Sequence, residues 1–330
     1  VTVAEVLKKA GYVNGGFGKW GLGNQGKDGA AERQGFDLFY GYYNQWHAHT
    51  YYTHLFRNSK KVELKGRYTH HAIFDETIKF IKNNKDKPFF LYCPWTPPHA
   101  AYQIPEDEPA WKMYKDKPWP HDARVAAAMD TMMDRHVGEI TALLKKLGIY
   151  QNTLMFFTSD NGAAKRFDGI HNSSGVMQGK KRSLNEGGIR VPMVVSWPGQ
   201  IKAGRVSSHP WYFPDVMPTF AEIGGVSTEV PKDIDGISIL PTLLDKGVQK
   251  QHEYMFWHYG VRAVRSGKWK GIGKGGHLSL YDLSEDIEEK NDLSSKHPEI
   301  AARMKKYITI GYREPRSQKD DGKYTGKDKK

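Results

Sequence analysis

Asp160 and Asn161 follow the run Thr153-Leu154-Met155-Phe156-Phe157-Thr158-Ser159 and precede Gly162. A compact apolar, β-branched run that stops in hard oxygen groups is how a buried parallel strand delivers ligands to the carboxyl edge of a sheet, where open α/β folds collect them. A carboxylate beside an amide oxygen suits Ca²⁺ or Mg²⁺ better than a softer metal. A plain Asp-Asn-Gly turn is built from the same residues. Two further strand ends carry polar groups: Lys19 after Asn14–Gly18, and His99 after Phe89–Cys93 and its prolines. A fourth segment, Gly179 to Pro192, adds Lys181 among Lys180 and Arg182. Singly, these are a surface lysine, a packed loop histidine and a solvated basic run. Together, lysines and an imidazole beside a divalent cation would hold a tetrahedral oxyanion and stabilise charge on its oxygens. Glu186 and Arg190 read as braces for the Gly187-Gly188 turn, paired with each other or with backbone.

The elements that must position these groups alternate. Thr2-Val3-Ala4-Glu5 is a capping box opening a short helix. The spacing predicts helices over 71–84, 122–147, 211–223 and 296–308, with strands over 14–18, 89–93, 153–158 and 192–196. Such alternation is the pattern of a doubly wound α/β sheet. The aromatic stretch from Gly35 to Phe56 is too irregular for a helix and reads as a long structured loop near a site. Beyond about Asp245, short strands punctuated by glycines suggest a small antiparallel sheet closed by one helix. The expected organisation is an α/β domain over 1–245 with a mostly parallel central sheet flanked by helices. A smaller antiparallel subdomain follows over 246–312, with a basic tail over 313–330.

Composition narrows the partners. At 330 residues, 38% hydrophobic and 26% charged, the chain can bury one large core and a smaller appendage. No apolar stretch approaches the roughly 18–20 residues of a membrane span. The net charge of +12 favours acidic partners, although the tail from Arg313 to Lys330 contributes seven basic against four acidic groups. The basic residues are dispersed and no nucleic-acid module is present, which argues against a nucleic-acid partner. The single cysteine, Cys93, excludes an internal disulfide framework and a multi-cysteine zinc site.

Gly18-Lys19-Trp20-Gly21-Leu22-Gly23, Pro97-Pro98-His99, Phe157-Thr158-Ser159-Asp160-Asn161-Gly162, Lys181 and Glu186-Gly187-Gly188-Ile189-Arg190-Val191-Pro192 stand in the order and approximate spacing of sulfatases. These belong to the alkaline-phosphatase superfamily. Gly35-Phe36-Asp37, Asp235-Gly236 and Tyr281-Asp282-Leu283 extend the resemblance to about residue 310. The pattern resembles the arylsulfatase A and N-acetylgalactosamine-6-sulfatase branch, especially bacterial polysaccharide sulfatases. The resemblance implies a sulfuric ester hydrolase acting on a sulfated saccharide or a small sulfate ester, at a periplasmic or extracellular location. It implies that Asp160 and Asn161 are two ligands of a Ca²⁺ ion, Mg²⁺ being the poorer fit. Lys19 and Lys181 would bind sulfate and the nucleophile, and His99 would contact sulfate and serve the departing alcohol. Imidazole suits that last role near neutral pH.

The family's nucleophile is a formylglycine made from cysteine in a Cys-x-Pro-Ser-Arg motif preceding the first lysine. No such motif occurs here, and Cys93 lies after Lys19 in a run lacking Ser-Arg, where it reads as a buried strand residue. The expectation is therefore an N-terminally incomplete sulfatase, inactive alone, with nucleophile and remaining acidic ligands outside this chain. Many relatives carry His where this chain has Gly21, and His47 or His49 could substitute. Phe39, Tyr40, Tyr42, Tyr43, Trp46, Tyr51 and Tyr52 form either a sugar-stacking wall or plain core. Trp46, His49 and His171 are the substrate-binding candidates. Two other readings stand beside the sulfatase: a phosphoester or phosphonate hydrolase of the same superfamily, and an inactive anion- or glycan-binding protein.

Overall fold

The computed structural model describes residues 1–313, so the expected basic tail from residue 314 on lies outside the described residues. In chain order the elements begin with α1 (Val3–Lys9), β1 (Val13–Lys19), β2 (Leu38–Tyr42), β3 (Leu55–Arg57), β4 (Lys60–Val62), α2 (Thr69–Asn84) and β5 (Phe89–Tyr92). They continue with α3 (Pro109–Tyr114), α4 (His121–Lys146), β6 (Met155–Thr158), α5 (Glu186–Ile189), β7 (Met193–Ser196), α6 (Val216–Ile223) and α7 (Leu240–Leu244). Last come β8 (Met255–Tyr259), β9 (Val261–Ser266), β10 (Trp269–Lys274), β11 (His277–Asp282) and α8 (Pro298–Gly311). They form two compact units. The first holds residues 1–157, 169–171 and 193–250; the second holds 158–168, 172–192 and Gln251 onward.

The first unit is α/β. Its five-stranded sheet has the order β4-β3-β2-β1-β5, and β1 runs parallel to both neighbours. The outer β2–β3 and β3–β4 pairs are antiparallel. The expected capping box starts α1: Thr2 N–H donates to Glu5 Oε2 at 2.7 Å and Glu5 N–H to Thr2 Oγ1 at 3.2 Å, a device worth about 1 kcal/mol. Helix α2 lays Ile73 and Phe80 on the sheet, where Phe80 meets Phe17 of β1 at 5.4 Å. Helix α4 buries Val125, Met129 and Met132 against Trp111 and Tyr51, then Ile140 and Leu144 against Phe74 and Ile81. Its methionines are core, as their helical spacing implies. Strand β6 ladders with β7 as a separate pair rather than with β5.

The stretch expected to be one long loop over 35–56 contains β2. Phe39, Tyr40, Gly41 and Tyr42 are all buried, so the strand is covered on both faces and shows no period-two alternation. A strand of that kind reads as an irregular aromatic run. The excursion before Pro120 likewise contains a short helix, α3, begun by Glu108 and Pro109, with the Glu108 side chain accepting from Ala110 N.

The second unit carries the antiparallel sheet β11-β10-β9-β8 expected beyond about Asp245. Helix α8 covers one face, packing Ala301, Met304 and Tyr307 on Val264, Leu278 and Leu280. At Gly271 a Cβ would come within 2.9 Å of Met304, so the helix sits on bare backbone there. Among the described residues no helix is long and apolar enough to cross a membrane.

Candidate active site

The candidate residues fall into two sets, one in each unit. In the first unit, β1 ends at Lys19, whose N–H donates to Pro94 O at 2.8 Å. A Cβ at Gly18 would lie 2.3 Å from that same carbonyl, and φ there is +144°. Only glycine allows this approach, which aligns the Lys19 end of β1 with the Pro94–His99 segment leaving β5. His99 N–H donates to Thr96 O at 3.0 Å, and its Nδ1 lies 2.9 Å from Ala100 O. Facing a carbonyl oxygen, Nδ1 is the donor of that contact.

The His99 ring stacks on His49, centroids 3.9 Å apart and planes 12° from parallel. The backbone ties the two segments together as well, with Ala101 N–H donating to His49 O at 2.9 Å and Tyr51 OH to His99 O at 2.9 Å. Trp46 meets the His49 ring edge-on at 5.9 Å and is 57% exposed, an open aromatic beside an imidazole pair. Tyr52 is also exposed, whereas Phe39, Tyr40, Tyr42, Tyr43 and Tyr51 are buried. Most of the proposed aromatic wall is therefore core. His171 packs against Trp119 at 5.4 Å.

Of the two substitute imidazoles, His47 is engaged elsewhere: its Nε2 lies 2.9 Å from Thr53 Oγ1 and its ring faces His54 at 4.2 Å. Burial, with His54 and Lys61 adding, pushes its pKa down to about 4. At Gly21, φ is +69° and a Cβ would lie 1.9 Å from Gln45 Nε2, so Gln45 fills the space a side chain there would enter. Cys93 follows β5 half-buried, and desolvation raises its thiol to about 12. A thiol held protonated in this way is no nucleophile.

In the second unit, Asp160 and Asn161 follow β6. Asn161 Nδ2 donates to Asp160 Oδ1 at 2.6 Å and Ser159 Oγ to Asn161 O at 3.1 Å. The next residue locks them to the 178–190 segment. Gly162 N–H donates to Gly188 O at 2.9 Å, and a Cβ on Gly162 would sit 1.9 Å from Gly187 O. Lys181 N–H donates to Ala163 O at 2.8 Å, placing Lys181 on the same backbone as the Asp160–Asn161 pair. The Asp160–Asn161 pair and Lys181, which come from two separate segments of the sequence, are thus one local construction. Lys180 makes a looser pair with Asp168 at 3.7 Å.

Asp160 and Asn161 match Ca²⁺ in kind, being one carboxylate and one amide oxygen, but supply two of the roughly six to eight oxygens that ion takes. Among the described residues no group of three or more His, Cys, Asp or Glu could hold a metal. The pair therefore fits as part of a calcium shell.

Glu186 and Arg190 do pair, at 3.5 Å, but the main partner of Glu186 was not foreseen. Lys270 of β10, fully buried, donates to Glu186 Oε1 at 2.8 Å and lies 2.8 Å from Glu289 Oε1. Nothing in the sequence marks these as buried, because a lysine and a glutamate in a charged chain read as surface. Other motif pieces are scaffold. Asp37 accepts from Lys8 Nζ at 2.7 Å and Asn14 N at 2.9 Å, and Gly236 passes where a Cβ would be 2.0 Å from Pro214 O. Asp282 accepts from Ser284 and pairs with Lys268 at 2.6 Å.

Residues 1–226 match the family model described as Sulfatase, and residues 178–311 match that of the C-terminal region of N-sulphoglucosamine sulphohydrolase. The chain is 31% identical over 290 residues to N-acetylgalactosamine-6-sulfatase of Canis lupus familiaris, covering 81% of this chain and 53% of that protein. It is 32% identical over 202 residues to steryl-sulfatase of Mus musculus, covering 59% and 30%. Among solved structures, Ps i-CgsB in complex with k-i-k-neocarrahexaose superposes with a TM-score of 0.80 at 28% identity, over 94% of this chain and 73% of that one. The chain spans from about a third to about half the length of these curated relatives. With a family model covering most of its length and relatives above 30% identity along it, the chain belongs to the sulfatase family.

Proposed function

We propose that this chain forms part of a hydrolase that cleaves sulfate monoesters of a carbohydrate, with Ca²⁺ held in part by Asp160 and Asn161. The observation that carries the reading is the backbone lock of Gly162 on Gly188 and of Lys181 on Ala163, which sets a hard-oxygen pair beside a lysine. Lys181, on the same backbone as that pair, neutralises sulfate oxygens, and the family pattern gives Lys19 an anion-binding role and His99 contact with sulfate and the departing alcohol. When bound, Ca²⁺ supplies Lewis-acid polarisation of the sulfate oxygens. The nucleophile, a formylglycine in this reading, comes from residues other than these 330, whose sole thiol is held protonated. Overall the ester's S–O bond is cleaved, water is consumed, and alcohol and sulfate leave.

Similarity to an N-acetylgalactosamine-6-sulfatase and to a structure holding a carrahexaose supports a saccharide substrate. Exposed Trp46 beside His49 offers a stacking surface for a sugar ring, and the net charge of +12 favours an anionic polymer. Such a polymer does not cross a membrane unaided, which supports a periplasmic or extracellular place of action. The test is sulfate release by the full-length protein from sulfated oligosaccharides, with and without Ca²⁺. Release that a chelator abolishes supports the reading, and cleavage of phosphonate or phosphate esters with no sulfate released overturns it.

A further inference from the structure

The charged cluster beneath the 178–190 segment has no part in binding or chemistry as described so far. Lys270 is fully buried on β10, and the Glu186 and Glu289 side chains around it are at most 3% exposed. Glu289 does more than balance charge: its Oε2 accepts the backbone N–H of Glu186 at 2.7 Å. One carboxylate therefore fixes the first residue of α5, while the ammonium fixes that residue's side chain. Glu289 holds a left-handed backbone conformation, φ +54°, which a non-glycine residue adopts at a cost.

From Glu186 the route to the Asp160–Asn161 pair is short and continuous. Gly188, two residues on, gives its carbonyl to Gly162 N–H, and Gly162 follows Asn161. Contacts on both sides stiffen it. A Cβ on Gly188 would lie 2.1 Å from Ser183 O, and one on Gly187 would lie 2.5 Å from Gly179 O. Gly187 N–H also donates to Gln178 O at 2.8 Å. No soft side chain intervenes between the buried charges and the metal pair.

Burying an ammonium between two carboxylates carries a desolvation cost that their attraction need not repay, and fixing register is the best-attested use of such a cluster. Groups one step beyond the ligands commonly set ligand orientation. We propose that Lys270 and Glu289 are positioning residues that hold the Asp160–Asn161 pair in register for Ca²⁺, through Glu186 and the Gly188–Gly162 hydrogen bond. This rests on the reading of that pair as calcium ligands. It makes the C-terminal sheet a working part of the metal site rather than an appendage.

The experiment compares the full-length protein with Glu289→Gln and Glu289→Ala. Gln keeps an oxygen to accept the Glu186 N–H and Ala does not. Calcium affinity is measured by titration calorimetry with the ion alone, and hydrogen exchange is followed in the peptide containing Gly162, with thermal unfolding recorded alongside. The expected result is affinity weakened by about 10- to 100-fold in Glu289→Ala and less in Glu289→Gln. Exchange at Gly162 should be faster in both, while peptides of β1 are unchanged. Should Glu289→Ala fail to fold, Glu289→Gln carries the comparison. Parental affinity in the folded variants overturns the proposal. If the parent protein binds no Ca²⁺, the functional reading fails instead, and the exchange result alone decides whether the anchor exists.

Discussion

The imidazole of His49 lies flat on that of His99, 3.9 Å between centroids and 12° between planes. The pair joins the loop that carries Trp46 to the segment that leaves β5. His49 therefore packs directly on His99.

His49→Ala removes the ring on which His99 packs, freeing His99 to shift. We expect kcat/KM to fall by about tenfold, since small misplacements of a catalytic group are costly. His49→Phe, which keeps a ring at that position, should recover most of the loss. Steady-state kinetics of the two variants check this, and equal rates for parent and Ala variant would contradict it.

Trp46→Ala should raise KM for a sulfated oligosaccharide several-fold and leave a small aryl sulfate unaffected. Trp46 is 57% exposed, so its removal should change stability by no more than about 0.5 kcal/mol. The readout is the ratio of KM values for the two substrates, together with the melting temperature.

Gly162→Ala puts a methyl group 1.9 Å from Gly187 O, with rigid backbone on both sides. A destabilisation of about 1–3 kcal/mol is expected, with loss of calcium binding at temperatures where the protein is still folded. Calorimetry and chemical denaturation report the two effects separately.

Much of this local detail was legible in the chain. The apolar run ending in Asp160-Asn161-Gly162 announces strand, turn and hard-oxygen pair, and β6 is found at Met155–Thr158. Gly187-Gly188 reads as a braced turn in sequence; in the structure both glycines lie in α5, packed closely against backbone carbonyls. Two things were hidden. Strand β2 is buried on both faces, which erases the alternation that identifies a strand. Lys270 and Glu289 look like any solvated charges, because their pairing joins residues distant in sequence.

The first unit also predicts an acid sensitivity. His70 Nε2 and His136 Nδ1 are 3.1 Å apart, buried between α2 and α4, with His136 stacked on Phe74 at 3.9 Å. Burial lowers both, His136 to about 3, with neighbouring charges on His71 and Arg135 adding. Both imidazoles are thus neutral in the fold, while an unfolded histidine takes up a proton near pH 6.5. The unfolded state binds more protons below that pH, so stability is full above about 6.5 and falls as pH drops toward 3. The slope should reach at most about 1.4 kcal/mol per pH unit for each imidazole. His136→Asn should flatten it, as read from denaturation midpoints between pH 7 and pH 4.

Calcium binding by Asp160 and Asn161 in sulfate ester hydrolysis is the proposal on which these predictions rest. Its most direct measurement is sulfate released from a sulfated oligosaccharide by the full-length protein and by its Asp160→Ala variant, each titrated with Ca²⁺. We predict release by the parent that saturates with Ca²⁺ and a loss of about 10²-fold or more in the variant. Equal release by the two proteins, or release indifferent to Ca²⁺ after chelation, would contradict it.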